Sequence, residues 1–365
     1  MRIFQILPTL TKGDGVGNEA LQIDRILREA GWETRIYADV IGDTVDRALV
    51  SHIDALPELA EEDVVLCHLS IASPIHGLLR ELKCHILFRY HNITPPEFFR
   101  GYDPVMEWKC REGLRQFREL IDVPEAVLAD SGYNKAHLRE LGYTCPIEVL
   151  PILIDLAEYD GEPDRAVVER MRDGVTNILF VGRVMPNKKQ EDVIKAFSVY
   201  HRRYNPDSRL ILAGRAQEVY LEELKAYQEL LGLEERDVVY TGSISHAAIL
   251  AYYRTADLFL CMSEHEGFCI PLLEAMHFGV PIAAYDSTVV GSTLGDGGVL
   301  LRNKDMYICA QIMDMILTEE SLRERIRQAQ KKVLAGYDYT SLKERLLEAL
   351  RRPAASGRGG QNAEY

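Results

Sequence analysis

Residues 266–274 read EGFCIPLLE, placing Glu266 and Glu274 eight positions apart with Gly267 and Pro271 between them. An amphipathic surface helix has no need for that pattern. The apolar run before it, ADLFLCMS (256–263), suits a buried parallel strand. Pro271 fits the first turn of a helix, where a missing N–H costs nothing, and Gly279 with Pro281 marks that helix's end. VPIAAYD (280–286) then resumes as a strand. Glu266 therefore falls in a loop at the carboxyl edge of a strand, and Glu274 in the first turns of the next helix. Backbone N–H groups near Gly267, Phe268 and Cys269 point into the same space. Such a nest attracts anions, phosphate above all.

Three further stretches could carry chemistry. FVGRVMPNKKQ (180–190) runs a strand into a loop with Arg183 and Lys188. Two fixed cations at a strand's carboxyl end suit a diphosphate, although a solvated basic turn reads the same way. TKGDGVGNEA (11–20) offers Gly13, Gly15 and Gly17 for close backbone approach to a phosphate or sugar. It matches GxGxxG only in part, and a plain tight turn is an equal reading. FRYHNITPP (88–96) ends a strand on His91 and Asn92. A histidine there can hydrogen-bond a sugar hydroxyl, or it can be purely structural. The chain holds no DxD, no HxxxH and no Cys/His cluster, and neither GxSxG nor a P-loop. No metal-ligand spacing, α/β-hydrolase elbow or P-loop is therefore expected.

The elements that must position these residues alternate βαβ twice over. Strands are expected at 2–10, 33–40, 63–70, 85–92, 126–131 and 147–154, then at 177–184, 209–216, 238–243, 256–263, 280–286 and 297–301. Helices are expected around 17–30, 74–82, 105–120 and 133–141, then 190–204, 218–231, 245–255 and 306–335. The acidic, Gly- and Pro-containing stretch IDLAEYDGEPDRA (154–166) reads as the hinge. SLKERLLEALRR (341–352) is a last helix, and the Gly/Ser/Ala-rich residues 353–365 read as a disordered tail. Two doubly wound domains facing each other leave an interdomain cleft at their carboxyl edges, where ligand sites concentrate.

The totals narrow the class. At 365 residues, 47% hydrophobic and 27% charged, the chain has the size and composition of a two-domain soluble protein. A net charge of −14 argues against a nucleic-acid binder and against avid adsorption to anionic membrane. The seven cysteines lie mostly in apolar runs without a CxxC pair, as reduced thiols of a cytoplasmic protein do. MRIFQILPTL is too short an apolar core for a signal peptide, and no run reaches the about 18 apolar residues of a membrane span.

Taken together, EGFCIPLLEAMHFGVPIAA closely resembles the E-x7-E signature of glycosyltransferase family 4, retaining enzymes of the GT-B architecture that use nucleotide sugars. GRVMPNKK is similar to that family's GR-x4-K loop, and LAGRA, with Arg215, and YTGSIS fall where its strands and base-side loops do. The match of order and spacing runs from about 177 to 300. The first half matches more loosely, through strand order, the Gly-rich loop and the strand-end histidine. Cys269 and Lys189 stand where the family favours glycine, and GDGVGNEA lacks the common Gly-Gly pair.

The resemblance implies an acceptor-side Rossmann-like domain over 1–158 and a nucleotide-sugar-binding one over 167–338, with a helix over 339–352 crossing back to the first. Arg183 and Lys188 would neutralise the donor diphosphate, and Glu274 would hold the ribose hydroxyls. Glu266 and the Gly267–Ile270 amides would hold the hexose, with His91 against its other side. Gly15, Gly17, Asn92 and Arg215 would complete the binding set. The implied reaction is metal-independent transfer of a hexose from a UDP-, GDP- or ADP-sugar, in surface polysaccharide, glycolipid or small-glycoside synthesis. The acceptor, the donor base and the oligomeric state are not readable. Helix 105–120, with Lys109, Arg111, Arg115 and Arg118, is either a solvated face or a peripheral contact with the inner face of the membrane. Other readings of the same architecture are a sugar-nucleotide epimerase, a phosphorylase, or a binding protein that has lost catalysis.

Overall fold

The computed structural model describes residues 1–11, 13–43 and 45–355. The chain separates into two compact units. One comprises Met1–Pro96, Val105–Ile154 and the chain from Asp338 onward; the other comprises Glu97–Pro104 and Asp155–Tyr337.

In the first unit, continuous apolar runs form strands buried on both faces, as an all-parallel sheet requires. Its strands are β1 (Arg2–Leu10), β2 (Glu33–Ile41), β3 (Val50–His52), β4 (Val64–Leu69), β5 (His85–Tyr90), β6 (Ala126–Ala129) and β7 (Ile147–Val149). Among the described residues they pair in the order β3-β2-β1-β4-β5-β6-β7. Helices α1 (Gly15–Glu29), α2 (Ile75–Leu78), α3 (Pro104–Glu119) and α4 (Gly132–Leu141) connect them. The second unit repeats the plan with β8 (Thr176–Val181), β9 (Ser208–Ala213), β10 (Val238–Gly242), β11 (Leu258–Cys261), β12 (Ile282–Tyr285) and β13 (Val299–Leu301). Their order is β10-β9-β8-β11-β12-β13. Its helices are α5 (Arg165–Met171), α6 (Gln190–Arg203), α7 (Glu218–Leu230), α8 (His246–Thr255), α9 (Ile270–His277), α10 (Val290–Leu294), α11 (Met306–Thr318) and α12 (Glu320–Ala335). In each sheet the winding direction reverses once, between β1 and β4 and between β8 and β11. Open α/β sheets bind ligands beyond the strand ends at that point.

The last helix, α13 (Tyr339–Ala355), packs on the first unit. Leu342, Leu346, Ala349 and Leu350 form one apolar stripe against Ile3, Ile23, Leu27 and Val64. Residues 353–355 thus continue a helix where the sequence suggests a tail, and 356–365 lie outside the described residues.

Several elements differ from their expected bounds. The run IEVLPILI is a strand only over Ile147–Val149. Beyond it the backbone serves a buried ion pair instead of the ladder: the Leu150 and Pro151 carbonyls accept from Arg89, and the Leu153 amide donates to Glu19. The stretch 306–335 is two helices, parted at Glu319, whose backbone is extended. The short β3, α5 and α10 were not anticipated. Residues 156–160, inside the expected hinge, form a 3-10 turn of the second unit. The thiols are buried except for Cys145, which is half-buried.

Candidate functional site

The loops after β8 and β11 meet at the switch point of the second sheet. After β8, Gly182 has φ +147°, as does Gly214 after β9. A Cβ on Gly214 would lie 2.1 Å from the Gly182 carbonyl oxygen, so only glycine permits this approach. The Val184 amide then donates to the Arg215 carbonyl at 2.9 Å. Arg183 and Arg215 are both exposed. Asn187 next ties the two loops together. Its Nδ2 donates to the His265 carbonyl at 3.0 Å, and its own carbonyl accepts the Glu264 amide at 2.9 Å. This sets Lys188 against Glu266 in an ion pair whose side chains are 17% and 9% exposed. Thr288 Oγ1 stands 3.1 Å from both the amide nitrogen and the carbonyl oxygen of Glu266, fixing its backbone.

Cys269 caps the start of α9 with φ +68°, and Lys189 caps α6 with φ +53°. Both residues sit in the left-handed region that glycine adopts without strain. Lys189 also pairs with Glu191 at 3.1 Å, while Lys304 bridges Glu264 and Asp192 at 2.8 and 2.7 Å. One turn into α9, Glu274 is buried and accepts from Tyr159 Oη at 2.5 Å and Tyr253 Oη at 2.6 Å. Burial pushes the Glu274 carboxyl above its usual range, against the two tyrosine bonds, which lower it. Burial, and then the Glu274 charge, raise both tyrosines in turn.

In the first unit the corresponding loops hold a buried charge cluster. Arg89, with no exposed side-chain surface, bonds Glu19 at 2.6 Å and stands 2.9 Å from Asp130 Oδ1. His91 Nδ1 lies 3.2 Å from Asp130 Oδ2 and 3.5 Å from Glu19 Oε2. Its Nε2 lies 2.9 Å from His68 Nδ1, with the two rings only 4° from parallel. His68 Nε2 in turn meets Gln5 Oε1 at 3.0 Å. Gln5 donates its amide to the Ala20 carbonyl, which orients its oxygen toward His68. Burial, then the His91 and Arg89 charges, hold His68 well below the usual imidazole range, so it is neutral. With Nε2–H donating to Gln5, His68 Nδ1 accepts. The hydrogen between the two rings is then carried by His91 Nε2.

The structure thus brings Arg183, Lys188, Arg215, Glu266 and the start of α9 together. Other expected site residues are engaged elsewhere. The Gly17 amide donates to Asp14 Oδ1 at 2.8 Å, and a Cβ there would meet the Thr11 carbonyl at 2.2 Å. Gly17 therefore serves the packing of α1, and Gly15 is that helix's first residue. Asn92, at φ +72°, donates to Asn134 at 2.6 Å and accepts the Ile93 amide, which makes it a buried turn residue. Phe268 is buried and its carbonyl accepts from Thr293. A sugar hydroxyl that bonds His91 must replace His68 or Asp130. On α3, Arg111 pairs with Glu107 and Arg115 with Glu112, so part of its basic face is neutralised. Tyr159, Tyr253, Asn187, Glu19 and Asp130 were not singled out from sequence. Arg89 had a signal: it is a charge inside the otherwise buried strand run HILFRYHN.

Residues 166–333 match the family of Glycosyl transferases group 1. The serotype-specific mannosyltransferase WbdA of Escherichia coli is 27% identical over 150 residues, 41% of this chain and 18% of that protein. The chain spans only 18–21% of the length of the first curated relatives it matches. The GDP-mannose:cellobiosyl-diphosphopolyprenol alpha-mannosyltransferase of Xanthomonas campestris is 26% identical, covering 91% of this chain and 81% of its own. Anabaena Alr3699/HepE, solved in complex with UDP and glucose, superposes with a TM-score of 0.76 at 18% identity. That alignment covers 96% of this chain and 100% of HepE. The two parallel sheets are those of the GT-B fold. No helix among the described residues is long and apolar enough to cross a membrane.

Proposed function

We propose that this chain is a retaining glycosyltransferase of family 4, which moves a hexose from a nucleotide-diphosphate sugar to an acceptor without a divalent metal. The observation that carries this reading is the Lys188–Glu266 ion pair at the switch point of the second sheet, beside exposed Arg183 and Arg215 and the start of α9. A departing nucleoside diphosphate develops negative charge on its phosphates. Arg183, Arg215, Lys188 and the amino end of α9 supply fixed positive charge and N–H donors for it, the role a metal plays elsewhere. Glu266 takes hydroxyls of the hexose. Glu274 holds the ribose: an ionised carboxylate offers about four lone-pair sites, and the tyrosines use two. Retention follows front-face attack with the leaving phosphate as base, so no enzymic nucleophile is required.

The relatives named above make GDP-mannose and UDP-glucose the first donors to test, with lipid-linked or soluble glycans as acceptors. A thermal-shift panel of nucleotide sugars should give one clear stabiliser, and that donor should be consumed when acceptor is added. Turnover in excess EDTA should stay near that in magnesium. Stabilisation by no nucleotide sugar sinks the donor reading, and activity lost to EDTA and restored by magnesium sinks metal independence.

A further inference from the structure

β11 ends on Cys261, and Cys269 caps α9 on the far side of the same loop. The two sulfurs and a carboxylate oxygen of Glu266 all lie within 4.8 Å of one another. The three residues are 1%, 6% and 8% exposed. Cys261 Sγ also lies 3.4 Å from Ser263 Oγ. The one cation bonded to this group among the described residues is Lys188, on Glu266. Two thiols and a carboxylate make a donor set for a borderline-soft ion. Magnesium and calcium prefer all-oxygen ligands, so the set discriminates against them.

We propose that Cys261, Cys269 and Glu266 form a binding site for zinc, and that zinc there competes with Lys188 for Glu266 and disables the phosphate nest. Zinc displaces one proton from each thiol to solvent and the Lys188 ammonium from the carboxylate. No electron is transferred. Three protein ligands leave the fourth tetrahedral position to water. Metal independence of turnover and inhibition by zinc are compatible, because the ion takes a residue that the donor uses. The binding site stands without the glycosyltransferase reading; only its effect on the donor rests on that reading.

The test uses the full chain, kept reduced with a phosphine, and cobalt(II) alone as the probe. Titration should produce thiolate-to-cobalt charge-transfer absorption that saturates at one equivalent, is bleached by zinc and is accompanied by proton release. Cys269→Gly, which suits the left-handed backbone and so should fold, and Cys261→Ser should each abolish the band. A wild-type protein without the band, or a band that survives in Cys269→Gly, overturns the site. In a second arm, one equivalent of zinc should weaken nucleoside diphosphate binding about tenfold or more, the value of a lost charge-assisted contact. The Cys269→Gly protein should not respond. Equal zinc sensitivity in both proteins overturns the competition with Lys188. If no nucleotide binds at all, the donor reading fails while the cobalt band still decides the metal site.

Discussion

Tyr159 Oη donates to Glu274 Oε1 at 2.5 Å, so a carboxylate read from sequence as a ribose holder is already clamped by the 3-10 turn near the start of its own unit. Tyr253 closes the other oxygen at 2.6 Å. Burial raises the folded pKa of Glu274, so the native state holds its proton to a higher pH than the unfolded chain does. The sign follows: the native state binds more protons between the unfolded pKa and the raised folded one, so this group's contribution to stability falls as pH rises through that window. Glu274→Gln removes the titration and keeps the shape. The melting temperature of wild type minus that of Glu274→Gln should therefore fall as pH rises from about 4.5 towards neutral, and then level off. A difference that stays flat, or rises, would refute the assignment.

The two cations of the β8 loop should fail differently. Arg183 is exposed, so Arg183→Ala should leave the melting temperature unchanged. It should weaken nucleoside diphosphate binding by about one to two decades, the value of a charge-assisted contact, with nucleoside binding barely altered. Lys188→Ala also leaves Glu266 buried without its partner, and should lower both affinity and stability. Adding Glu266→Gln to Lys188→Ala should recover much of the stability but none of the affinity. Calorimetry on the set reads both quantities. Equal loss of nucleoside and diphosphate binding in Arg183→Ala would place the phosphates elsewhere.

Much of this was legible because parallel sheets bury both strand faces, which leaves uninterrupted apolar runs in the sequence. The loops after β8 and β11 could be read because Gly182, Gly267 and Pro271 punctuate strand-to-helix turns. Partnerships could not be read. Tyr159 lies 115 positions from Glu274, and Arg89 lies 70 from Glu19, so only the folded chain shows that these polar groups satisfy one another. The same limit misplaced Asn92. A strand-end amide looks the same whether it faces solvent or, as here, turns inward to Asn134.

The left-handed backbone at Lys189 gives a test on stability alone. Lys189 has φ +53°, a conformation that costs a side-chain-bearing residue about 1–2 kcal/mol. Its pairs with Glu191 and Glu264 are partly exposed and contribute little. Lys189→Ala loses the pairs and keeps the strain, whereas Lys189→Gly loses the pairs and relieves it. Lys189→Gly should be more stable than Lys189→Ala by about 1 kcal/mol in denaturant titration. The reverse order would mean that the backbone at this helix cap is not left-handed.

The charge cluster of the first unit gives the largest expected effect. Arg89 faces Glu19 and Asp130 with no exposed side-chain surface, and it also caps the Leu150 and Pro151 carbonyls. Arg89→Leu has a suitable size for the strand but leaves the Glu19 and Asp130 carboxylates buried without their arginine. Breaking a buried pair in this way costs about 3–5 kcal/mol. Glu19→Gln should cost less, since the amide still accepts from Arg89 and the cluster keeps Asp130 as a counter-charge. If burial of unpaired charge is the cause, Arg89→Leu combined with Glu19→Gln should be more stable than Arg89→Leu alone, although it carries one more substitution. Denaturant unfolding of the three variants decides the matter. A double variant less stable than Arg89→Leu would show that the arginine acts through its carbonyl bonds and packing, and that charge balance with Glu19 and Asp130 does not hold this part of the sheet together.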